Sequence, residues 1–365
     1  MDSITQGALG ALCGEITLRK QLGWKGFAWG IFFGTLPDLD ILAYPFLTSV
    51  EQISWHRGIS HSILMMILGS LFFGWLLEKI HRKQGVTFRQ STWFVFLTWF
   101  THVLIDCFTT YGTQVFEPFS DYRVAFNNMS IIDLSFTLPM LIGVIVVLFF
   151  KRDSSKRTKV GRGIAIWLCV YTSASFGMKY WATQKFEARL AQQGIEPTRM
   201  MTAPTISNIF LWRMLAESED PDNGSQLHVS YWSPFDDSSQ DTLRSFSKGT
   251  EHLAKFRGSE ETETLHWFSK DWYKIIPIDD NTIIFVDMRM GELCTKDSNV
   301  PMFGWRLERE PFTITRISFL TDFNASETIS FLGQRIIGNS PSWLTHPWPW
   351  DKQNTPVPKD WNPKL

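Results

Sequence analysis

The chain has 365 residues, of which 44% are hydrophobic, and a formal net charge of −1. These totals are those of an ordinary globular protein and conceal an uneven distribution along the chain. The four cysteines form no Cys-x-x-Cys pair, which excludes a zinc ribbon.

Two halves of different composition meet near residue 183. Residues 1–183 contain 16 Lys and Arg and 11 Asp and Glu, clustered between long apolar runs, whereas the second half contains 19 and 25. The sequence therefore predicts an α-helical membrane bundle of about six helices, followed by a small soluble β or α+β domain. We predict a transmembrane domain in residues 1–183, a β-rich domain in residues 184–340 and an irregular Pro/Trp-rich tail in residues 341–365.

The first two predicted helices, residues 4–18 and 24–36, are short. Each is either a partial span or a buried helix. Glycines recur in them every three or four residues, at Gly7, Gly10, Gly14, Gly26, Gly30 and Gly34. This spacing places the glycines on one face of each helix and allows the two helices to approach closely. Residues 63–77, 91–105, 134–150 and 164–178 become long enough to cross a bilayer once their flanks are added.

Basic residues predict the orientation of the bundle. The loops at 19–25, 79–89 and 151–162 contain thirteen Lys and Arg, while the alternate loops at 37–59 and 110–130 contain only Arg57 and Arg123. Because loops rich in Lys and Arg stay in the cytoplasm, the 37–59 and 110–130 loops and the whole second half are expected to face outward. We predict a multi-pass protein of the bacterial cytoplasmic (inner) membrane with an extracytoplasmic C-terminal domain. The same topology accounts for the basic clusters, so nothing indicates nucleic-acid binding.

The second half begins with a predicted helix over residues 181–193 that continues the last span. Alternating patterns predict strands at 227–231, 264–268, 282–288 and 312–319. Turn signals at 222–224 and 279–281 separate them. Four scattered histidines there form no catalytic pattern, and the sequence leaves protein partners open.

Polar side chains of the membrane half converge on its predicted outer end. A charged group within a span is costly and needs a partner or an ion. The candidates are Asp2, Asp38, Asp40, His56, His61, His102, Asp106 and Asp133. His102 and Asp106 are four residues apart and therefore share one helix face. By contrast, Glu15, Glu78 and His81 fall at cytoplasmic ends, where we expect solvated interface residues.

Mixed histidine and carboxylate ligands suit zinc, manganese or iron. There are more candidates than one tetrahedral ion needs. Two ions could share the site, or some of the groups could orient the ligands or act as a general base. Asp2 and Asp133 could instead be simple helix N-caps. Arg57 is the candidate catalytic residue, since its cation could steady an anionic substrate such as a phosphate, although it could equally be an interface side chain.

Five motifs carry a resemblance to a known family: MDSITQG at 1–7, GTLPDLD at 34–40, HRGISHS at 56–62, THVLID at 101–106 and YGTQ at 111–114. Together they resemble the YdjM-like family of bacterial inner-membrane-bound, metal-dependent hydrolases. Gln6 departs from the pattern, because some members have a histidine there. Residues 267–269 and 287–291 are similar to a C-terminal extension found on some members.

The resemblance implies a hydrolase, and the position of the polar groups suggests the substrate. We expect a membrane-bound, metal-dependent hydrolase that acts on an ester or phosphoester of a membrane lipid or lipid-linked compound at the outer leaflet. A transporter with a proton relay is an alternative, because Asp and His chains also mark such pathways. Another is a structural or sensory membrane protein in which the metal only holds the bundle together.

Overall fold

The computed structural model describes residues 1–222, 224–237, 243–256, 258–294, 299–317 and 325–339. The predicted tail at 341–365 lies outside these residues. Among those described, the first half is helical and the second half contains the β-sheets. Its helices are α1 (Ser3–Thr17), α2 (Arg19–Leu22), α3 (Trp24–Thr35), α4 (Glu51–Trp55), α5 (Ile63–His81), α6 (Phe88–Phe108), α7 (Leu134–Leu148) and α8 (Ser155–Gln192). Short 3-10 helices cover Pro37–Phe46, Ile59–His61 and Arg82–Gln84.

Two of the described helices are long and apolar enough to cross a membrane: Ile63–Gln84, which includes α5, and Phe88–Phe108, which is α6. The apolar helix α7 has 15 residues, as does α1, and α3 has 12. Helices of that length measure about 18–23 Å, less than the roughly 30 Å of a bilayer core. The expectation of about six membrane-crossing helices therefore stays a prediction.

Helices α1 and α3 pack through their glycines, as the spacing predicts. A Cβ atom built on Gly10 would lie 2.1 Å from the carbonyl oxygen of Gly30, and one built on Gly14 equally close to that of Gly26. Any side chain at these positions would collide with backbone, so only glycine permits this approach. The prediction of close helix contact is confirmed.

The interpretation of Glu15 and His81 as solvated residues is wrong. Glu15 is buried and accepts two hydrogen bonds from the Arg157 guanidinium, at 2.8 and 2.6 Å. His81 is also buried, and its Nε2 accepts a hydrogen bond from Trp29 Nε1 at 2.8 Å. Both helix ends pack against neighbouring segments, which composition alone does not reveal.

The second half contains two four-stranded antiparallel sheets and a two-stranded one. Strands β1 (Arg199–Pro204), β2 (Trp212–Asp220), β3 (Gly224–Trp232) and β4 (Arg244–Ser247) pair in sequence order. The second sheet has the order β10-β9-β6-β5, with β5 (Tyr273–Pro277), β6 (Thr282–Asp287), β9 (Gly304–Arg309) and β10 (Phe312–Ile317). Strands β7 (Glu292–Cys294) and β8 (Asn299–Pro301) form the small sheet, and α9 (Thr250–Leu253), α10 (Glu260–Ser269) and α11 (Ala325–Ile336) complete the fold.

Most strand predictions agree with the structure, but the strand predicted at 264–268 is wrong. These residues lie in α10, where the Ser259 side chain accepts a hydrogen bond from the Thr262 amide at 3.1 Å. Three glutamates in the first turn further favour a helix start. The predicted strands at 227–231 and 282–288 correspond to β3 and β6. The predicted strand at 312–319 corresponds to β10 up to Ile317, and its last two positions lie outside the described residues.

The chain forms two compact units. The first comprises residues 1–46, 54–177 and 206–208, and the second residues 47–53, 178–205 and 209 onward. The division falls inside α8, after Gly177. The C-terminal part of α8 packs Ala182, Phe186 and Leu190 against strand residues that include Trp212 and Trp232. This packing assigns the end of α8 to the second unit.

Candidate metal centre

Four side-chain atoms of the first unit converge on one point: Asp38 Oδ1, His61 Nε2, His102 Nε2 and Asp106 Oδ2. The two histidine nitrogens are 3.1 Å apart, and each lies 3.3–3.4 Å from both carboxylate oxygens. One ligand atom from each residue lies within 4.8 Å of the others. A tetrahedral ion with ligands at about 2.0–2.1 Å has ligand–ligand distances of about 3.3–3.4 Å. The spacing of the four atoms therefore fits one tetrahedral divalent ion.

The hydrogen bonds of the two histidines direct a lone pair into this space. Nδ1 of His102 lies 2.7 Å from the carbonyl oxygen of Gly34 and must donate to it, because a carbonyl only accepts. Nδ1 of His61 lies 2.8 Å from Ser60 Oγ, whose own proton goes to Asp40 Oδ2 at 3.1 Å. With these protons placed on Nδ1, each ring in its neutral form presents an unprotonated Nε2. Two such nitrogens at 3.1 Å repel each other unless a cation lies between them.

The two carboxylate oxygens of Asp106 differ in their hydrogen bonding to the described residues. Its Oδ1 accepts a hydrogen bond from Gln6 Nε2 at 3.0 Å, forms an ion pair with Arg57 Nη2 at 3.0 Å and contacts the Met1 amino group. Its Oδ2 is buried and has no hydrogen-bond partner among the described residues. A buried carboxylate oxygen without a partner is costly. A cation among the four atoms would satisfy it.

Three segments bring the ligands together. Asp38 lies on the 3-10 helix Pro37–Phe46, and His61 ends the 3-10 turn that precedes α5. His102 and Asp106 lie one turn apart on α6, as their spacing predicts. Asp38 keeps 14% of its side chain exposed, whereas the other three side chains are at most 1% exposed. Among the residues that the structure describes, Asp38 therefore marks the open side of the site.

Asp40 and His56, predicted as ligands, lie beside the cluster and bind each other. His56 Nδ1 is 2.9 Å from Asp40 Oδ1, while Asp40 Oδ2 accepts hydrogen bonds from the Arg57 amide at 3.0 Å and from Ser60. Burial would raise the pKa of Asp40, but the His56 contact holds it below its ordinary value. Burial lowers the pKa of His56 despite that contact. The pair supports the cluster through Ser60 and His61.

Asp2 and Asp133, also predicted as ligands, act as helix N-caps in the structure. The Asp2 side chain accepts a hydrogen bond from the Thr5 amide at 3.0 Å and caps α1. Asp133 accepts one from the Phe136 amide at 3.1 Å and caps α7, and both of its oxygens lie 2.8 Å from the Tyr171 hydroxyl. Their oxygens are committed to these bonds, and neither residue belongs to the four-residue cluster.

Arg57, the predicted substrate-binding cation, is buried and turned towards Asp106. Its Nη1 donates to Thr109 Oγ1 at 2.8 Å, and its guanidinium lies 5.1 Å from the centre of the Tyr111 ring. A φ of 59° at Arg57 gives the side chain this inward direction. In this arrangement the Arg57 side chain contacts the candidate ligand Asp106, and its role towards a substrate stays a prediction.

Sequence reasoning missed the supporting residues Ser60, Thr109 and the Gly34 carbonyl. Ser60 stands next to His61 in the HRGISHS motif, so its place in the motif is the available signal. Gln6, which departs from the family pattern, also belongs to the site. The structure places its amide on Asp106, beside the ligand set.

Comparisons with known proteins identify the family of the chain. Residues 1–186 match the family described as YdjM inner membrane protein. A stretch of 140 residues is 29% identical to the uncharacterized protein YfhP of Bacillus subtilis (strain 168). The aligned stretch covers 36% of this chain and 42% of that protein. The chain thus spans less than half the length of this relative. No solved structure matches significantly. The matched region covers just over half of the chain and includes the four residues of the candidate metal centre. The chain belongs to the YdjM inner membrane protein family.

Proposed function

We propose that this chain is a metal-dependent hydrolase of the bacterial inner membrane that uses one divalent ion. The convergence of Asp38, His61, His102 and Asp106 carries the proposal, together with the buried Asp106 oxygen that has no hydrogen-bond partner among the described residues. Two histidines and two carboxylates suit zinc, manganese or iron. The short spacing of the four atoms favours zinc, which accepts tetrahedral sites of this size.

A bound divalent ion would supply a Lewis acid that polarises the scissile bond and lowers the pKa of a water molecule. Asp38 lines the open side of the cluster, so substrate and water would approach next to it. Hydrogen bonds to Gly34, Ser60 and Gln6 and an ion pair with Arg57 hold the other three candidate ligands. Rigid outer contacts of this kind fix the orientation of the ligands and typically raise metal affinity.

His56 is the candidate general base. Asp40 Oδ1 holds the proton on His56 Nδ1, which leaves Nε2 as the basic atom. The centres of the His56 and His61 rings are 6.0 Å apart, so the base would stand next to the metal ligands. A lowered pKa keeps His56 neutral near pH 7 and able to accept a proton.

We propose an ester or phosphoester of a lipid or lipid-linked compound as the substrate. The ligands lie at the ends of α3, α5 and α6 that the basic-residue pattern assigns to the outer side. The open side of the cluster would then lie near the depth of lipid headgroups. No HExxH sequence is present, so the best-known metalloprotease arrangement does not apply.

A structural or sensory metal site is the second candidate. Four protein ligands in a closed tetrahedron are typical of structural zinc, whereas catalytic zinc usually has three protein ligands and an open position. In that case the ion would hold the 3-10 helix Pro37–Phe46 against α6, and its removal would lower stability without affecting any reaction.

A substrate panel separates the two candidates. Purified, metal-loaded protein in detergent is given membrane lipids and water-soluble phosphoesters, and release of the headgroup or phosphate is measured with and without chelator. We expect metal-dependent turnover of a lipid that is absent in Asp106→Asn. Turnover confined to soluble substrates would contradict the lipid proposal. No turnover by fully loaded protein, with a lower melting temperature after chelation, would replace the hydrolase with the structural role.

A further inference from the structure

The two loops around the metal centre expose large apolar side chains. On the 3-10 helix Pro37–Phe46, the two aspartates point inward while Leu39, Leu42 and Phe46 are exposed, Leu42 at 69% and Phe46 at 86%. In the 110–130 loop, Phe116, Phe119 and Tyr122 are exposed, Phe119 at 85%. We call these six residues the apolar rim.

Both parts of the apolar rim are anchored to the segment that carries His56 and His61. Trp55 Nε1 donates to the Asp40 carbonyl at 3.1 Å, which ties the 3-10 helix to this segment. The Gln114 backbone amide donates to the Arg57 carbonyl at 3.0 Å, and Arg123 Nη2 donates to the His56 carbonyl at 2.6 Å. These hydrogen bonds hold both loops of the apolar rim next to the metal centre.

The composition of the apolar rim is unsuited to a surface in water. The charged residues of the 3-10 helix are Asp38 and Asp40, and both are engaged in the site. Residues 116–122 add the half-buried Glu117 and the exposed Asp121. Exposed aromatic and aliphatic residues with few charges mark contact with another apolar phase. Aromatic residues with a few polar neighbours are typical of the membrane–water boundary.

Apolar side chains are also exposed at the helix starts that adjoin these loops in the chain. Ile63 and Leu64, at the start of α5 just after His61, are exposed, as are Ile131, Ile132 and Leu134 at the start of α7. Helix α5 is one of the two described helices long and apolar enough to cross a membrane. The same apolar phase that covers these helices would thus reach the loops.

We propose that the apolar rim lies in the boundary between headgroups and acyl chains of the leaflet that covers the metal-centre end of the bundle. Asp38, the partly exposed candidate ligand, is followed directly by the rim residue Leu39, so the open side of the centre lies at headgroup depth. A lipid can then present its headgroup to Asp38 without leaving the bilayer. This position of the substrate rests on the proposed function, whereas the immersion of the apolar rim does not.

Spin-label accessibility tests the immersion without metal or turnover. Single cysteines replace Leu42 and Phe119 in full-length protein from which Cys169 and Cys294 have been changed to Ser, and the labelled proteins are placed in phosphatidylcholine–phosphatidylglycerol vesicles. Collisions of the label with oxygen, which concentrates in lipid, and with a water-soluble nickel chelate are compared. Ile142, exposed on α7, serves as the lipid control and Glu261, exposed on α10, as the water control.

We expect an oxygen-to-nickel ratio at residues 42 and 119 several-fold above that at residue 261 and below that at residue 142. A ratio equal to that at residue 261 would overturn the proposal, since the loops would then stand in water. Protection from both reagents would overturn it as well, because a second protein surface would cover the apolar rim. Circular dichroism of each labelled protein checks that it is folded.

Discussion

His56 and His61 are five residues apart in one motif, yet their nitrogens have different surroundings. His61 Nε2 points at three other candidate ligand atoms, whereas His56 is paired with Asp40 through Nδ1. The distinction matters for chemistry, because a ligand and a general base cannot be exchanged. A matched pair of substitutions at these two histidines separates the roles.

We predict that His56→Gln keeps its metal and that His61→Gln loses it. Glutamine at position 56 can still hydrogen-bond Asp40, whereas at position 61 it removes a ligand nitrogen. If the hydrolase proposal holds, kcat of His56→Gln should fall by about 10²–10⁴, the usual contribution of a general base. Metal content is measured by mass spectrometry after purification without chelator. Equal loss in both variants would show that His56 is a ligand.

The sequence is informative about the ligands on a regular helix and less so about those on loops. The four-residue spacing of His102 and Asp106 is by itself enough to place both side chains on one face of α6. Asp38 and Asp40 alternate on a 3-10 helix, where a small change of backbone direction decides which carboxylate enters the cluster. Arg57 adopts a positive φ that residue type does not predict. The loop residues can therefore be nominated from sequence but not assigned roles.

At the scale of elements, the contact between α1 and α3 positions the Gly34 carbonyl that orients His102. This contact depends on glycine at Gly10 and Gly30, because an added Cβ would lie 2.1 Å from a backbone oxygen. Backbone atoms cannot yield as the end of a flexible side chain can. The two helices would have to separate to accept a methyl group.

We predict that Gly10→Ala destabilises the bundle by about 1–3 kcal/mol, the usual cost of overpacking. Gly163→Ala is the control, because a Cβ there meets nothing within 4 Å and alanine favours a helix by about 1 kcal/mol. Thermal unfolding in detergent measures both. A destabilisation of the control equal to that of Gly10→Ala would show that the close approach is not what matters.

Element types are easier to predict than element boundaries and exceptions. Apolar runs and alternating patterns predict the helices α5 and α6 and the strands β3 and β6 from periodicity alone. The strand predicted at 264–268 fails because a short alternating pattern competes with the Ser259 cap and the acidic first turn of α10. Local capping prevails over alternation in this segment.

At the scale of the whole molecule, the placement of the site depends on the orientation of the chain. Thirteen basic residues on one set of loops against two on the other predict that the second half faces the periplasm. We predict activity from an alkaline phosphatase reporter, which works only in the periplasm, fused after Gly194. A fusion after Arg82, in a basic loop, should be inactive. The reverse pattern would place the metal centre at the cytoplasmic leaflet.

The division into a helical half and a β-sheet half follows from composition, because charge and apolar runs change together near residue 183. The position of the division inside α8 cannot be predicted from composition. It depends on Phe186 and Leu190, which pack against β-strands that follow later in the chain. Such long-range packing leaves no periodic signal in the helix itself.

Metal content tests the central claim most directly. Protein purified without chelator should contain about one zinc, manganese or iron ion per chain, and Asp106→Asn should lose it because the oxygen without a partner becomes part of a neutral amide. Asp133→Asn is the matched control: the residue is a buried aspartate that caps α7, and asparagine also caps helices well. The account predicts a full complement of metal in Asp133→Asn. Absence of metal from the wild type, or equal loss in the two variants, would contradict it.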